Sequence, residues 1–221
     1  MKLLAIDTST EACSCALYID GEIQSRSQFA PQQHTKLILP MADELLAEAG
    51  IKPNQLEGIA VGKGPGSFTG LRIACGVAQG IAFAADIPIA PISSLATLAQ
   101  AAYIEIGEQQ ILSVIDARMA EVYYGYYILN AQEIMQCQIA DKIAKPDVID
   151  NLPTTEKWYG TGSGWVYAEI LKNKLGTLLR NYQIDKYPQA NAMIPLALDA
   201  FKQGQVVTAE NINPVYLREM N

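Results

Sequence analysis

The stretch GKGPGSFTGLR, residues 62–72, joins a short apolar run, LEGIAV at 56–61, to a long run rich in Ala, Leu, Ile and Gly. The apolar run has the length and composition of a buried strand. The long run, residues 67–86, has helical spacing, and Ser67 is placed to cap the helix by accepting a hydrogen bond from an unpaired backbone N–H. The sequence therefore predicts a strand, a glycine-rich turn and a helix in an α/β protein.

A turn of this kind suits an anion, because free N–H groups and the positive end of the helix point the same way. Gly64 and Gly66 would allow the backbone to come close to such a ligand. The stretch matches neither specific phosphate pattern: Lys63 precedes the turn, and the third glycine of G-x-G-x-x-G is missing. Phosphate binding is therefore one hypothesis, and a purely structural turn is the alternative.

The composition of the chain indicates which kind of protein it is. Its 221 residues are 50% hydrophobic and 18% charged, which is typical of one large or two small globular domains. The formal net charge of −7 argues against an extended basic face, so a partner would make most contacts with any RNA. The four cysteines form no C-x-x-C pair. With no signal-peptide core and no apolar run near the ~20 residues of a membrane span, we predict a cytoplasmic protein.

A three-strand plan occurs twice along the chain. The first copy, residues 3–29, has a polar turn after Asp7 and an Asp-Gly hairpin signal at 20–21. The second copy, residues 111–139, has Asp116 in the position of Asp7. Because helices follow each copy, we predict a duplicated, two-lobed α/β fold. The predicted parts are a first lobe of residues 1–105 plus about 188–205, a smaller second lobe of residues 106–187, and a tail of residues 206–221.

Two helices of the first lobe are candidates for an interface. Residues 34–49 form an amphipathic pattern, and the helix after the glycine turn carries small residues on more than one face. Small residues four apart let helix backbones approach closely, so we predict packing against another helix pair; packing against the helix's own sheet is the alternative. The residues predicted to fill this seam are Leu37, Met41, Leu45, Gly70, Ala74 and Ala78.

Histidine is used once, at His34. A site with several histidine ligands is therefore excluded, and one imidazole at most is present to act as a base. Nothing in the sequence places a nucleophile beside it. Asp7 and Asp116 are candidates for holding a metal-bound water or a phosphate, although an aspartate that satisfies its own turn is the simpler interpretation of Asp7.

Five motifs, in order along the whole chain, resemble the TsaB (YeaZ) family. They are IDTST (6–10), GPGSFTGLR (64–72), DAR (116–118), YGTGSG (159–164) and PVYLR (214–218). The resemblance implies the actin/Hsp70/sugar-kinase fold (ASKHA, ribonuclease H-like) with a reduced second lobe. It also implies a role in forming the threonylcarbamoyl group on adenosine next to the anticodon of tRNAs that read codons beginning with A.

The resemblance also implies which protein of the pathway has which role. A paralogue, TsaD, would carry the transfer with a metal held by two histidines four apart on a helix, and a TsaE-type ATPase would join the assembly. In this chain the residue four after His34 is Ile38, so that metal site is not built. We therefore expect a non-catalytic scaffold with no metal. It would pair with TsaD or with itself as a homodimer, and reach tRNA only through the complex, away from membranes.

The resemblance leaves a vestigial nucleotide site, expected to hold ATP or ADP weakly if at all, with no firm cofactor. Its predicted residues are Asp7, Ser9, Thr10, Gly64, Gly66, Asp116, Gly160, Gly162 and Gly164. A small second lobe would make the cleft shallow, and a shallow cleft binds weakly. The alternative function is a small ATP-dependent phosphotransferase or ATPase of the same fold, which would use the two aspartates and the glycine loops around Mg-ATP.

Overall fold

The structure is a computed structural model that describes residues 1–218 of the chain. Its strands and helices follow one another in two similar series, each of which opens with three consecutive strands. In chain order they are β1 (Lys2–Asp7), β2 (Ala12–Ile19), β3 (Glu22–Phe29), α1 (His34–Glu48), β4 (Gly58–Gly64), α2 (Phe68–Ala85), β5 (Ile89–Ser93), α3 (Ser94–Ile106), β6 (Gln110–Arg118), β7 (Glu121–Leu129), β8 (Met135–Ala144), β9 (Trp158–Thr161), α4 (Ala168–Leu175), β10 (Leu179–Gln183) and α5 (Ala190–Lys202).

The first sheet has the strand order β3-β2-β1-β4-β5. The pairs β1–β2 and β2–β3 are antiparallel, whereas β4 and β5 run parallel to β1. Side chains alternate across this sheet. Leu4 and Ile6 pack with α1 and α2 on one face, whereas Leu3 and Ala5 pack with α5 on the other. Both faces of the sheet are therefore buried in apolar cores.

The second sheet repeats the plan with the order β10-β9-β6-β7-β8. Its antiparallel β6, β7 and β8 correspond to β1, β2 and β3, and β9 and β10 run parallel to β6. Trp158 and Trp165 fill the core on one face, and Leu95 and Leu98 of α3 pack on the other. The predicted duplicated, two-lobed α/β fold is confirmed.

Helix α3 lies between the two sheets. It packs along α5 of the first lobe and against β6 of the second, and it ends at Ile106, next to the predicted boundary at residue 105. The predicted tail begins as an extension of the first sheet, because Val207 exchanges two backbone hydrogen bonds with Ile89. The last three residues of that tail, 219–221, lie outside the described residues.

Helix α2 has the capping predicted for it. The Ser67 hydroxyl accepts a 3.4 Å hydrogen bond from the Gly70 N–H, and the helix ends at Asp86 in the left-handed conformation. By length and composition alone α2 is apolar enough to cross a membrane. The core helix of a soluble protein passes the same test, and α2 packs on the first sheet through Ala74 and Ala78.

Candidate functional site: the cleft between the lobes

A cavity of about 640 Å³ lies where the turns of the two lobes meet. The turn between β1 and β2 and the starts of α1 and α2 form its first-lobe wall. The turn between β6 and β7 forms the second-lobe wall, and the end of the described chain closes one side. It is lined by residues 9–11, 31–32, His34, 66–68, 115–119, Tyr123, Tyr216 and Arg218.

Four of the predicted nucleotide-site residues lie in this cleft. They are Ser9, Thr10, Gly66 and Asp116. The other five do not line it, and the reasons differ. Asp7 lies beneath the turn, Gly64 lies under the end of the chain, and the three glycines of the second loop pack inside the second lobe.

Asp7 is fully buried. Its Oδ1 accepts hydrogen bonds from the Ser9 N–H (2.9 Å) and the Ser9 hydroxyl (2.7 Å), and its Oδ2 has no partner among the described residues. Burial raises the pKa of this carboxyl from 3.8 to about 6, although the hydrogen bonds from Ser9 lower it. A Cβ on Gly62 would stand 2.1 Å from Oδ2, so the β4 backbone lies directly against the carboxylate. Its contacts are those of an aspartate that satisfies its own turn.

The glycine-rich turn presses against the β1–β2 turn. A Cβ on Gly66 would stand 2.3 Å from the Ser9 carbonyl oxygen, and one on Gly70 would stand 2.0 Å from the Thr8 carbonyl oxygen. The Ser67 N–H donates a 2.7 Å hydrogen bond to the Ser9 carbonyl. These glycines therefore permit close packing of two turns, and one N–H at the start of α2 is used within the protein.

The second glycine loop is filled by a side chain. Gly160 leaves room for Trp165, whose ring would stand 1.9 Å from an added Cβ. Gly162 and Gly164 lie against the Val114 backbone of β6. Trp165 is fully buried and stacks on Tyr182 at 4.9 Å between ring centroids. These three glycines, predicted as part of a vestigial nucleotide site, therefore pack the interior of the second lobe and do not line the cleft.

Charged groups cross the cleft in a chain that sequence reasoning missed. The Arg118 guanidinium pairs with Asp116 at 3.1 Å on its own turn and with Glu11 at 2.5 Å on the opposite lobe. The Asp116 Oδ1 also accepts the Arg118 N–H at 2.9 Å. Arg118 is 71% exposed, so this link is screened by solvent and contributes little to stability. The sequence could not indicate the pair of Arg118 and Glu11, because the two residues lie 107 positions apart.

Two polar side chains in the wall of the cleft have unpaired atoms. The Thr10 hydroxyl and the His34 Nε2 are buried and have no partner among the described residues. Both residues border the cavity. The described residues contain no cluster of three or more His, Cys, Asp or Glu side chains that could hold a metal ion.

The structure corrects the prediction of which residues fill the helix seam. Met41, Leu45, Gly70, Ala74 and Ala78 are buried in the first lobe's own core, and Leu37 is partly buried there. The opposite side of α2 is the one that faces outward. We call this side the α2 outer face; it comprises Arg72, Ile73, Gly76, Val77, Gly80 and Phe83.

The α2 outer face combines bare backbone with an exposed aromatic ring. An added Cβ on Gly76 or Gly80 would meet nothing within 4 Å. Phe83 is 70% exposed at the end of the face, and Ile73 and Val77 are partly buried along its edge. Another helix could therefore approach this backbone closely.

Two similar lobes, each with a mixed five-stranded sheet, and a cleft between their turns define a two-lobed protein of the actin/Hsp70-like class. The model of the family described as TsaD, tRNA N6-adenosine threonylcarbamoyltransferase, matches residues 25–174. The chain belongs to the TsaB (YeaZ) family, as the following relatives show.

Two relatives named tRNA threonylcarbamoyladenosine biosynthesis protein TsaB match along almost their whole length. The protein from Escherichia coli is 38% identical over 220 residues, which covers 99% of this chain and 95% of the relative. The protein from Haemophilus influenzae is 39% identical over 227 residues, which covers 99% and 94%. A solved structure, YeaZ from Pseudomonas aeruginosa, superposes with a TM-score of 0.92 at 41% identity and covers 98% of this chain and 99% of that one.

Proposed function

We propose that this protein is the non-catalytic partner of a TsaD-type transferase in the formation of threonylcarbamoyladenosine next to the anticodon of tRNA. Its full-length relatives are named for the biosynthesis of this nucleoside. The observation that carries the partner role is the α2 outer face, which offers a bare helix backbone and an exposed phenylalanine to a second helix.

Docking on this face follows from its shape. Gly76 and Gly80 are four residues apart and lie on one side of the helix, where they leave a shallow groove along the backbone. Phe83 stands beside the end of that groove and would bury its ring against a partner. The partner is a similar helix pair, either of a TsaD-type paralogue or of a second copy of this chain. Single exposed apolar residues are common, but this arrangement at helical spacing favours an interface.

The alternative, an ATPase or phosphotransferase, has weaker support. It would use Asp7 to hold Mg-ATP, yet that carboxylate is buried, bonded to Ser9 and separated from the cleft by the β1–β2 turn. The cleft still presents Asp116 and the start of α2, so weak binding of ATP or ADP remains part of the proposal.

The assembly that acts on tRNA includes more than this chain and its TsaD-type partner. With a net charge of −7 the chain is a poor binder of tRNA by itself, so tRNA contacts fall to the complex. A TsaE-type ATPase is the third member. We place the protein in the cytoplasm, where tRNA is modified.

The test is light scattering on a sizing column, with the protein alone and then mixed with the TsaD-type paralogue of the same organism. We expect a homodimer that gives way to a one-to-one heterodimer. Gly76→Leu and Phe83→Glu should each weaken both assemblies, because they fill the groove and place a charge at its end. Circular dichroism should be unchanged, since both sites are exposed.

The matched control is Phe29→Glu. Phe29 is 60% exposed, but it lies on the edge strand β3 and not on α2. The Phe29→Glu variant should form the homodimer and the heterodimer as the unmodified protein does. A protein that stays monomeric when mixed with the paralogue, or a Phe83→Glu variant that pairs as well as Phe29→Glu, would refute the proposal.

A further inference from the structure

The end of the described chain crosses from one lobe to the other at the cleft. It is held to the first lobe by its backbone: the Val215 N–H donates a 2.8 Å hydrogen bond to the carbonyl of Lys63 at the end of β4. The Val215 carbonyl oxygen lies so close to Gly64 that an added Cβ there would stand 2.8 Å from it. The segment therefore packs on the glycine-rich turn itself.

The next contact is aromatic. The Tyr216 ring lies 5.1 Å from the Phe68 ring, and its hydroxyl accepts a 3.0 Å hydrogen bond from Arg72 Nε. The Arg72 guanidinium lies 3.9 Å from the centre of the Phe68 ring. Such a stack of two rings and a cation fixes the segment against the first turn of α2.

The last described residue contacts the second lobe. Arg218 Nη2 donates to the Ala117 carbonyl at 3.2 Å and to the Glu121 carboxylate. Both the Arg218 and Glu121 side chains are only 33% exposed, so this pair is better protected from solvent than the pair between Arg118 and Glu11. Charge-assisted hydrogen bonds of this kind are among the stronger ones.

The turn that Arg218 holds has a disfavoured backbone. Arg118, Met119 and Ala120 all have positive φ, between 56° and 62°. Three consecutive residues with a Cβ rarely adopt this conformation, so the surroundings must hold it. Arg218 bonds the residues just before and just after this turn, at Ala117 and Glu121.

We propose that residues 214–218 form a clasp that sets the opening of the cleft. The clasp is anchored on the first lobe by Val215 and Tyr216 and on the second by Arg218. Its release would free the β6–β7 turn and let the lobes separate about α3, which packs on both. Tyr216 and Arg218 also line the cavity. The clasp therefore forms one wall of the cleft and also holds the two lobes together.

The experiment compares Arg218→Ala with Arg180→Ala by amide hydrogen exchange and by the distance between two spin labels. Arg180 also pairs with a glutamate, Glu108, at 3.0 Å, but that pair does not join the lobes. The labels are placed at exposed Gln24→Cys and Lys157→Cys, one on each lobe, with exposed Cys137 replaced by serine. A chain ending at Asn213 is the second variant.

We expect Arg218→Ala to speed amide exchange at residues 117–121 about tenfold and to broaden the distance distribution. The shortened chain should do so at least as strongly. Arg180→Ala should match the parent in both measurements. An Arg218→Ala protein that matches Arg180→Ala would overturn the proposal, and all of these measurements use the protein alone, so they do not depend on any partner.

Discussion

Gly70 of α2 packs directly against Thr8 of the β1–β2 turn and accepts a hydrogen bond from its hydroxyl. The Thr8 hydroxyl donates a 2.7 Å hydrogen bond to the Gly70 carbonyl, and a Cβ on Gly70 would stand 2.0 Å from the Thr8 carbonyl oxygen. Both residues are buried. This contact fixes the start of α2 against the turn, and with it one wall of the cleft.

Gly70→Ala should therefore destabilise the protein. The new methyl group would collide with backbone rather than with a flexible side chain, so the turn or the helix must shift, at a cost of about 1–3 kcal/mol in the free energy of unfolding. The matched substitution is Gly76→Ala on the same helix, where the added Cβ meets nothing. In the dissociated monomer, Gly76→Ala should raise the free energy of unfolding by about 0.5–1 kcal/mol, because glycine is the more flexible residue when unfolded.

Urea unfolding of the two variants and the parent protein measures both effects. The two substitutions add the same methyl group to the same helix, so helix propensity alone predicts the same gain for both. A Gly70→Ala variant as stable as Gly76→Ala would show that the contact with Thr8 is not constraining.

The elements set by local signals could be predicted from the sequence. The cap at Ser67 and the hairpin at 20–21 depend on residues a few positions apart, and the structure has both. Strand β10 was not predicted, because LRNYQ has no clear alternation and is a strand through its pairing with β9. Pairing between distant segments is not encoded in local spacing.

Which row of small residues on α2 faces the sheet could not be predicted for a related reason. Small residues occur on several sides of the helix, so composition does not tell which row faces the sheet. The row of Ala74 and Ala78 faces the first lobe's core, and Gly76 and Gly80 face outward. The packing of the glycine loops could not be predicted either, because the sequence shows where close backbone approach is permitted but not that Trp165 and Ser9 are the residues that approach.

Asp7 should make stability depend on pH in the direction opposite to an ordinary ion-paired carboxylate. Its pKa is 3.8 when unfolded and about 6 when folded, chiefly through burial, so the folded state binds more protons between these values. The stabilisation is complete below about pH 3.8 and is lost as the pH rises through about 6; it amounts to about 3 kcal/mol.

Asp7→Asn tests this dependence. The amide oxygen still accepts the two hydrogen bonds from Ser9, but the side chain carries no charge. The free energy of unfolding of the variant, minus that of the parent, should therefore rise between pH 4 and pH 7 and then level off. Urea midpoints across this range measure it, and exposed Asp147→Asn is the control for the substitution. A difference that stays constant with pH would contradict the assignment.

A second carboxylate, partly buried, joins the lobes away from the cleft. Asp141 of β8 accepts a 2.6 Å hydrogen bond from the Ser93 hydroxyl of the first sheet and a 2.5 Å hydrogen bond from the Tyr127 hydroxyl. Gly125 makes room for it, since a Cβ there would stand 2.5 Å from the carboxylate. Burial raises the pKa of Asp141, although the bonds from Ser93 and Tyr127 lower it.

Removing both Tyr127 and Asp141 as partners should cost less than the sum of the costs of removing each one alone. Asp141→Ala leaves the buried Tyr127 hydroxyl with only its longer 3.3 Å contact to the Ser93 hydroxyl, which should lower the free energy of unfolding by about 1–3 kcal/mol. Tyr127→Phe leaves the carboxylate with Ser93 and costs less. In the double variant the poorly paired Tyr127 hydroxyl is gone, so the cost of the double variant should be smaller than the sum of the two single costs. Urea unfolding of the four proteins gives the coupling directly, and strictly additive costs would mean that the bond between Tyr127 and Asp141 does not stabilise the fold.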